Sequence, residues 1–569
     1  EQNQLYQQLD KPSITVVQSI AQFESVAFAV ACLLESADAF GWKSRSLVVN
    51  DENTLEQLIE EYDNLIFIAN VGNKNHIYAT QKGHRIIYAV SAAEIPKVND
   101  LISLPLIDRD KFIKSLSSSG LNRNHAEQLS KETVRNITIL RRRLKLDFTP
   151  PLWAKAENIR DLIPAILIGR WNDKVEGDRN IVARIAGESY NRYSEKLQRW
   201  VNSDDTPLVN VDGIWRIISP YESFCYASNY FTANDFSNYR SVVFEIAADN
   251  DPDANEKLNA TTIQFWENKQ CYSGWLKEGI FQSAILISII GKSTELCTPQ
   301  QPADMWVDSI IRDILNNSTI EWWFSNGRIL SQIAEASPCC YIKYLIDDLK
   351  KEDSIIKRMF IPKANISFMG PCENYTNVLW SLRMLLWEEE FFLPVSLILM
   401  ELSAIENNTN SADKPFETLC AAYTIWHPQT YVNTNQRLQT LRTLCHKYPI
   451  QGFSLCKHLV DRLDHSVIFP TKPMHWRRFE QERPKVTNED IYESIGSICQ
   501  LMVDVCNFST SQIVDILDIA DQQAIGRFNR ETLLEFIIQH KERFTGNYDI
   551  TNKVRSTIYH HKSYPESNW

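Results

Sequence analysis

The sequence predicts a mainly α-helical protein in which a partial α/β lobe, a helical lid and a winged helix precede an irregular α-solenoid of HEAT or TPR type. Three observations predict it. Short β-branched runs alternate with helical patterns from Ile14 to Val90, a helix-turn-helix pattern runs into an Asp212-Gly213 hairpin signal, and helical periodicity continues from Tyr221 onward without a strand pattern. The implied segments are 1–107 for the lobe, 108–150 for the lid, 151–219 for the winged helix and 220–569 for the helical repeats.

In the lobe, strand patterns at Ile14–Val17, Leu47–Val49, Leu65–Ile68 and Ile86–Val90 alternate with helical patterns at Phe23–Leu34, Leu55–Glu60 and His76–Gln81. Such alternation favours a parallel sheet with helices on its faces, and the lobe reads as part of a nucleotide-binding domain. A phosphate cradle is not visible in it. The first strand leads into Gln18, Ser19, Ile20 and Ala21 with no glycine, whereas a P-loop needs glycine-rich amides followed by lysine and a hydroxyl residue. Gly291-Lys292-Ser293-Thr294 imitates the end of that motif, but Leu286 stands where the upstream glycine is required.

From Asp108 to Leu144 the apolar spacing is helical, through Phe112, Leu116, Leu121, Ala126 and Leu129. The stretch ends on Arg141, Arg142 and Arg143, which point around a helix, so at least one should reach inward or across an interface. One reading is a solvated basic turn near a helix C-terminus. The sharper reading makes Arg135, Arg141, Arg142 and Arg143 candidates for sensing a nucleotide phosphate.

Ile181 to Ala186 predicts a short helix, Gly187 a turn, and Tyr190, Tyr193, Leu197 and Trp200 one face of a second helix. Leu208–Val211 and Ile214–Ile217 then flank Asp212-Gly213, a strong two-residue hairpin signal. This is the order of a winged helix. Arg192, Lys196 and Arg199 form a basic stripe that could contact DNA, although the bulky neighbouring aromatics favour a packed hinge.

Beyond Tyr221, Val378, Leu382, Leu385 and Leu386 form one apolar stripe, and Val395, Ile398, Leu399 and Leu402 the next. Further helices are expected at Leu438–His446, Phe453–Leu463, Ile491–Cys506, Ile513–Ile519 and Leu533–His540. No fixed repeat period emerges, which leaves an irregular stack with a concave face suited to grasping a protein. Trp322 and Trp323 place rings on different sides of a helix, so one of them is a candidate partner-binding anchor. Trp380 and Trp387 have ordinary core spacing.

Composition narrows the classes. A formal charge of -12 argues against a generic nucleic-acid coat. Twelve cysteines are scattered without a C-x-x-C pair, as expected of reduced thiols in a cytoplasmic protein. The longest apolar stretch, Ile280–Ile290, falls far short of the roughly 20 residues that span a bilayer. The start at Glu1, with neither methionine nor a signal-peptide pattern, reads as a piece of a longer polypeptide.

Several stretches together resemble a known family: Leu140-Arg141-Arg142-Arg143-Leu144, Gly169-Arg170-Trp171-Asn172-Asp173, Gly177-Asp178, Gly213-Ile214-Trp215, Lys414-Pro415-Phe416 and Trp426-His427-Pro428-Gln429-Thr430. The chain is similar, from its first lobe to about Trp476, to the post-catalytic part of bacterial STAND NTPases of the antiviral Avs type. The resemblance implies a switch. A phage structural or packaging protein, such as terminase or portal, would bind the repeats; ATP with Mg would then be taken up by the full-length protein. A homo-oligomer, a tetramer, would activate an effector such as a nuclease. Nucleic acid would be met only through that effector, and no membrane is involved.

Two other classes remain. A helical-repeat scaffold for a host protein would share the same concave surface. An independent enzyme would need convergent groups, and the sequence offers none: Cys445 and His446 diverge on a helix, His560 and His561 lie in a polar tail, and Glu482–Lys485 lies in a charged loop. No catalytic or metal-ligating residue is therefore assigned, and no cofactor to the segment itself.

Overall fold

The computed structural model describes residues 1–36, 41–72, 76–91, 101–146, 149–201, 203, 205–259, 269–292, 294, 296, 298–361, 375–405, 414–461, 472–477 and 483–563. The described residues are mainly helical, with 65% helix and 7% strand, and a small five-stranded parallel sheet holds most of their strand content. It divides into two compact units, Glu1–Val243 with Cys271–Ala303, and Phe244–Gln270 with Asp304–Trp569.

The first unit opens with α1 (Gln2–Leu9), β1 (Ile14–Ser19), α2 (Gln22–Glu35), β2 (Ser46–Val49), α3 (Glu52–Glu61), β3 (Ile66–Ala69), α4 (Ile77–Gln81), β4 (Arg85–Ser91) and β5 (Leu101–Ser103). All four pairings are parallel, in the order β2-β3-β4-β1-β5. Because a parallel sheet is covered on both faces, its central strands can be apolar throughout; every residue of β3 is buried. One face packs Val17, Ile66, Ile68 and Ile87 against Leu5, Ala29 and Leu33 of α1 and α2. The other packs Val16, Phe67, Ile86 and Tyr88 against Leu55, Ile59 and Ala79 of α3 and α4. β2 lies at the sheet edge, where Leu47 and Val48 are exposed.

Next come α5 (Arg109–Ser118), α6 (Arg123–Glu132) and α7 (Ile137–Arg143). Asp108, Asn122 and Asn136 cap them, each side chain accepting an amide of the first turn. Phe112, Ile113, Leu116, Ala126 and Leu129 form their shared core, with Leu140 and Leu144 packed on it.

Then follow α8 (Ala156–Ile168), β6 (Arg170–Asn172), α9 (Glu176–Ala186), α10 (Tyr190–Val201), β7 (Leu208–Val211), β8 (Ile214–Ile217) and α11 (Pro220–Ala227). The expected helix, turn, helix and hairpin are present. Gly187 ends α9 in the left-handed region at φ 71°, and the hairpin turns through Asp212 at φ 54° and Gly213 at φ 84°. Positive φ at both central residues is what a tight primed turn requires. β6, which the sequence reading missed, pairs with β8 to complete a three-stranded antiparallel sheet, β6-β8-β7.

The second unit, by itself, is built of helices joined by loops, with no strand among its described residues. The expected stripes are buried in helices Thr376–Leu385 and Glu389–Ser403. The later expectations fall in Thr434–Lys447, Pro449–Asp461, Asn488–Val505, Thr510–Ala520 and Arg527–Gln539; the end of the expected helix at Leu463 lies outside the described residues. From Pro415 onward each helix packs chiefly on those one or two places along the chain. A longer-range tie crosses this pattern. Buried Glu335 accepts the backbone amides of Trp476 and Arg477, and the Arg477 guanidinium donates to the Glu335 and Ala336 carbonyls.

Two expectations about tryptophan are corrected. Neither Trp322 nor Trp323 is an outward anchor: they are 4% and 0% exposed. Their indole N–H groups are spent internally, Trp322 on the Ala247 carbonyl at 2.8 Å and Trp323 on the Ser318 hydroxyl at 2.9 Å. The short helix Ile320–Ser325 is enclosed on both flanks, so different sides of it do not mean different environments. Conversely, Trp380 is 52% exposed while Trp387 is 1%. The helix ends at Leu385, so helical spacing does not carry the face of Trp380 to Trp387.

Candidate functional site

The arginine helix α7 is where the first unit's parts meet. It is entered through unusual backbone: Val134 and Arg135 take φ of 50° and 63° in succession. For a β-branched valine this is a strained conformation, costing about 1–3 kcal/mol, and it needs firm neighbours to persist. Two side-chain oxygens, one of a carboxamide and one of a carboxyl group, supply them. Asn136 Oδ1 accepts the Thr138 and Ile139 amides at 2.8 and 3.1 Å, and Glu24 Oε1 of α2 accepts the Ile137 amide at 2.7 Å. Burial pushes the Glu24 carboxyl above its ordinary range, and the Ile137 amide pulls it partly back.

The three consecutive arginines fan out from α7 onto different side chains of the elements around it. Arg141 lies over the Phe23 ring of α2, 4.0 Å from its centroid. Arg142 is gripped by two carboxylates. Its Nη1 and Nη2 donate to Asp205 at 2.7 and 3.3 Å, and its Nε and Nη2 donate to Glu222 of α11 at 2.6 and 3.3 Å. Arg143 pairs with Glu132 of α6 at 2.8 Å and lies 4.4 Å from the Tyr221 centroid. The reading of a solvated basic turn is thereby overturned, since the side chains of Arg142 and Glu222 are each 6% exposed. Tertiary carboxylates, invisible in the local sequence, draw the helix end inward.

Burial opposes the charge on Arg142, but the hydrogen bonds and charges of Glu222 and Asp205 outweigh it and raise its pKa above the ordinary value. For Glu222 burial is the larger effect and raises its carboxyl, with Arg142 acting against it. Arg142 and Glu222 form an ionised pair, because the guanidinium meets both of its carboxylates in the bidentate geometry that rewards charge on each partner. Arg135, in contrast, is half-buried and, among the described residues, has no ion pair or hydrogen bond. The structure thus groups Arg141, Arg142 and Arg143 into one node and leaves Arg135 at its strained entrance.

The basic stripe of the hairpin-bearing region is neutralised at home. Arg192 and Lys196 share Glu188 at 3.2 and 2.5 Å, and Arg199 pairs with Asp161 at 2.6 Å. A phosphate backbone would have to displace these carboxylates, which disfavours the DNA reading.

Other conspicuous residues converge structurally. Trp171 and Trp215 stack at 5.5 Å with 5° between their planes. Asp178, fully buried, accepts the Asn172 amide at 2.8 Å and the Ser273 amide and hydroxyl at 2.9 and 2.6 Å. A side chain on Gly279 would stand 2.4 Å from the Ile168 carbonyl, so helix Gly274–Ile290 can approach β6 only through glycine. Sequence reasoning missed Asp178, Ser273 and Gly279 as one junction, and no spacing signal joins them.

Among the described residues no helix is long and apolar enough to cross a membrane. Ser293 of the P-loop imitation and Glu482 of the charged loop lie outside the described residues. Lys292 follows the end of helix Gly274–Ile290, whose last turns are buried, so the motif lacks the strand-to-helix setting a phosphate loop needs. No protein-family model matches the chain, and a comparison with curated proteins finds no match.

Proposed function

We propose that this chain is the regulatory and target-sensing part of a STAND-type NTPase in antiphage defence. On this reading the sheet, α5–α7 and the α9–β8 region are a partial nucleotide-binding lobe, its lid and a winged helix, and the helices of the second unit are an irregular solenoid that binds a phage structural or packaging protein. ATP and Mg belong to the full-length protein, as does an effector such as a nuclease, and the activated form is a homo-oligomer, a tetramer.

The observation that carries the reading is the double clasp on Arg142. An arginine near a lobe, a helical cluster and a hairpin region is held by Asp205 and Glu222 through four hydrogen bonds, which is how a resting state would keep a phosphate-seeking cation occupied. The nearest-neighbour packing of the helices beyond Pro415 supports the solenoid. Target binding must favour the unclasped arrangement over the clasped one, since a ligand with equal affinity for both shifts nothing.

The test is a pull-down with the chain from phage-infected lysate, with uninfected lysate as control and mass spectrometry of what is retained. A single phage structural or packaging protein, captured only after infection and binding the chain when purified, supports the sensor. Recovery of one host protein from both lysates overturns it in favour of a scaffold.

A further inference from the structure

Glu52, Glu56 and His76 converge on one point at the carboxyl edge of the parallel sheet. Glu52 and Glu56 sit one turn apart on α3, which follows β2, so they share a helix face. His76 lies between β3 and α4. In open α/β sheets the edge beyond the strands' carboxyl ends is where ligands bind.

The imidazole is prepared for a metal. His76 is 4% exposed, and its Nδ1 is hydrogen-bonded to the Tyr88 hydroxyl of β4, itself fully buried. That bond fixes the ring and leaves Nε2 facing the carboxylates, as the outer partner of a metal-bound histidine does. Nε2 stands 3.4 Å from Glu52 Oε1 and 3.8 Å from Glu56 Oε1. Ligand atoms about 2.0–2.2 Å from a common zinc ion stand roughly 3–3.5 Å from each other, so a small contraction closes the site. Among the described residues no lysine or arginine forms an ion pair with Glu56, whose side chain is 48% exposed and gives a cation a way in.

We propose that Glu52, Glu56 and His76 form a binding site for a first-row divalent cation, best suited to zinc, with three protein ligands and a coordination position left for water. One imidazole and two carboxylates are a borderline donor set that suits zinc over magnesium or calcium. The proposal stands independently of the sensor reading.

Zinc is titrated calorimetrically into the chelator-stripped full chain, and cobalt absorption is recorded in parallel. Wild type takes up one equivalent that H76Q and E56Q each bind at least about 10-fold more weakly, whereas E417Q/H458Q, altered at a second cluster with Cys420, retains it. The cobalt complex shows d–d bands without a thiolate charge-transfer band. E56Q alters an accessible carboxylate, and an unchanged apo melting midpoint shows that it folds. Equal zinc affinity in wild type, H76Q and E56Q, no zinc uptake, or a thiolate band lost in E417Q/H458Q overturns the proposal and leaves the three residues an ion pair only.

Discussion

Replacing Arg142 with methionine removes the cation from the clasp and keeps most of the apolar stem. Glu222, 6% exposed, would then face Asp205, 26% exposed, with no cation between them. Breaking a buried pair from one side costs about 3–5 kcal/mol, and the partial exposure of Asp205 puts this case near 3 kcal/mol. In a domain of this size about 2–4 °C is lost per kcal/mol, so the first unit should melt roughly 6–12 °C lower. R142M/E222L should regain much of that loss, because an apolar pair leaves only Asp205 to be solvated, and the coupling in the double-mutant cycle should be at least about 1 kcal/mol. Urea titration followed by tryptophan fluorescence, with calorimetry to separate the units, measures both. A loss below about 1 kcal/mol in R142M, or a double mutant that falls by the sum of the singles, would refute the clasp as an energetic element.

Three further outcomes are expected. Because Glu24 has a raised folded pKa, the native state holds a proton that the unfolded chain releases, so its contribution is full below 4.5 and is lost as pH rises through the folded value; E24Q, which still accepts the Ile137 amide, should flatten that slope, and urea titrations showing an unchanged slope would sink the assignment. G279A must force backbone apart where its Cβ would meet the Ile168 carbonyl at 2.4 Å, destabilising the first unit by about 1–3 kcal/mol in the same titration; a neutral result contradicts the close approach. W323A should cost about 3–5 kcal/mol, whereas W380A, at an exposed position, should stay within about 0.5 kcal/mol; similar losses for both would contradict the reassignment of these rings.

What the sequence disclosed was what local pattern encodes. Strands β1 to β4 were legible because β-branched runs are bounded by polar breaks, and the hairpin because Asp212-Gly213 suits positive φ. β5 and β6 escaped because each has three residues, of which one is buried. The arginine helix was legible as a helix that must send a side chain inward, but not where: Asp205 and Glu222 are 63 and 80 residues away from Arg142. Trp322 and Trp323 misled because helical sidedness predicts exposure only where one side of the helix faces water. The histidine-glutamate cluster was hidden for a similar reason, since β3 separates Glu56 from His76 and only the sheet brings them together.

Arg141, Arg142 and Arg143 leave the axis of α7 about 100° apart, each seated against a different neighbour. Turning the helix about its own axis would unseat all three in one stroke. A deletion of one residue before Arg141 would likewise aim every guanidinium at the wrong neighbour. The three contacts therefore behave as a keyed shaft, in which a single fit fixes angle as well as position, and α7 has one rotational setting in which all three teeth engage.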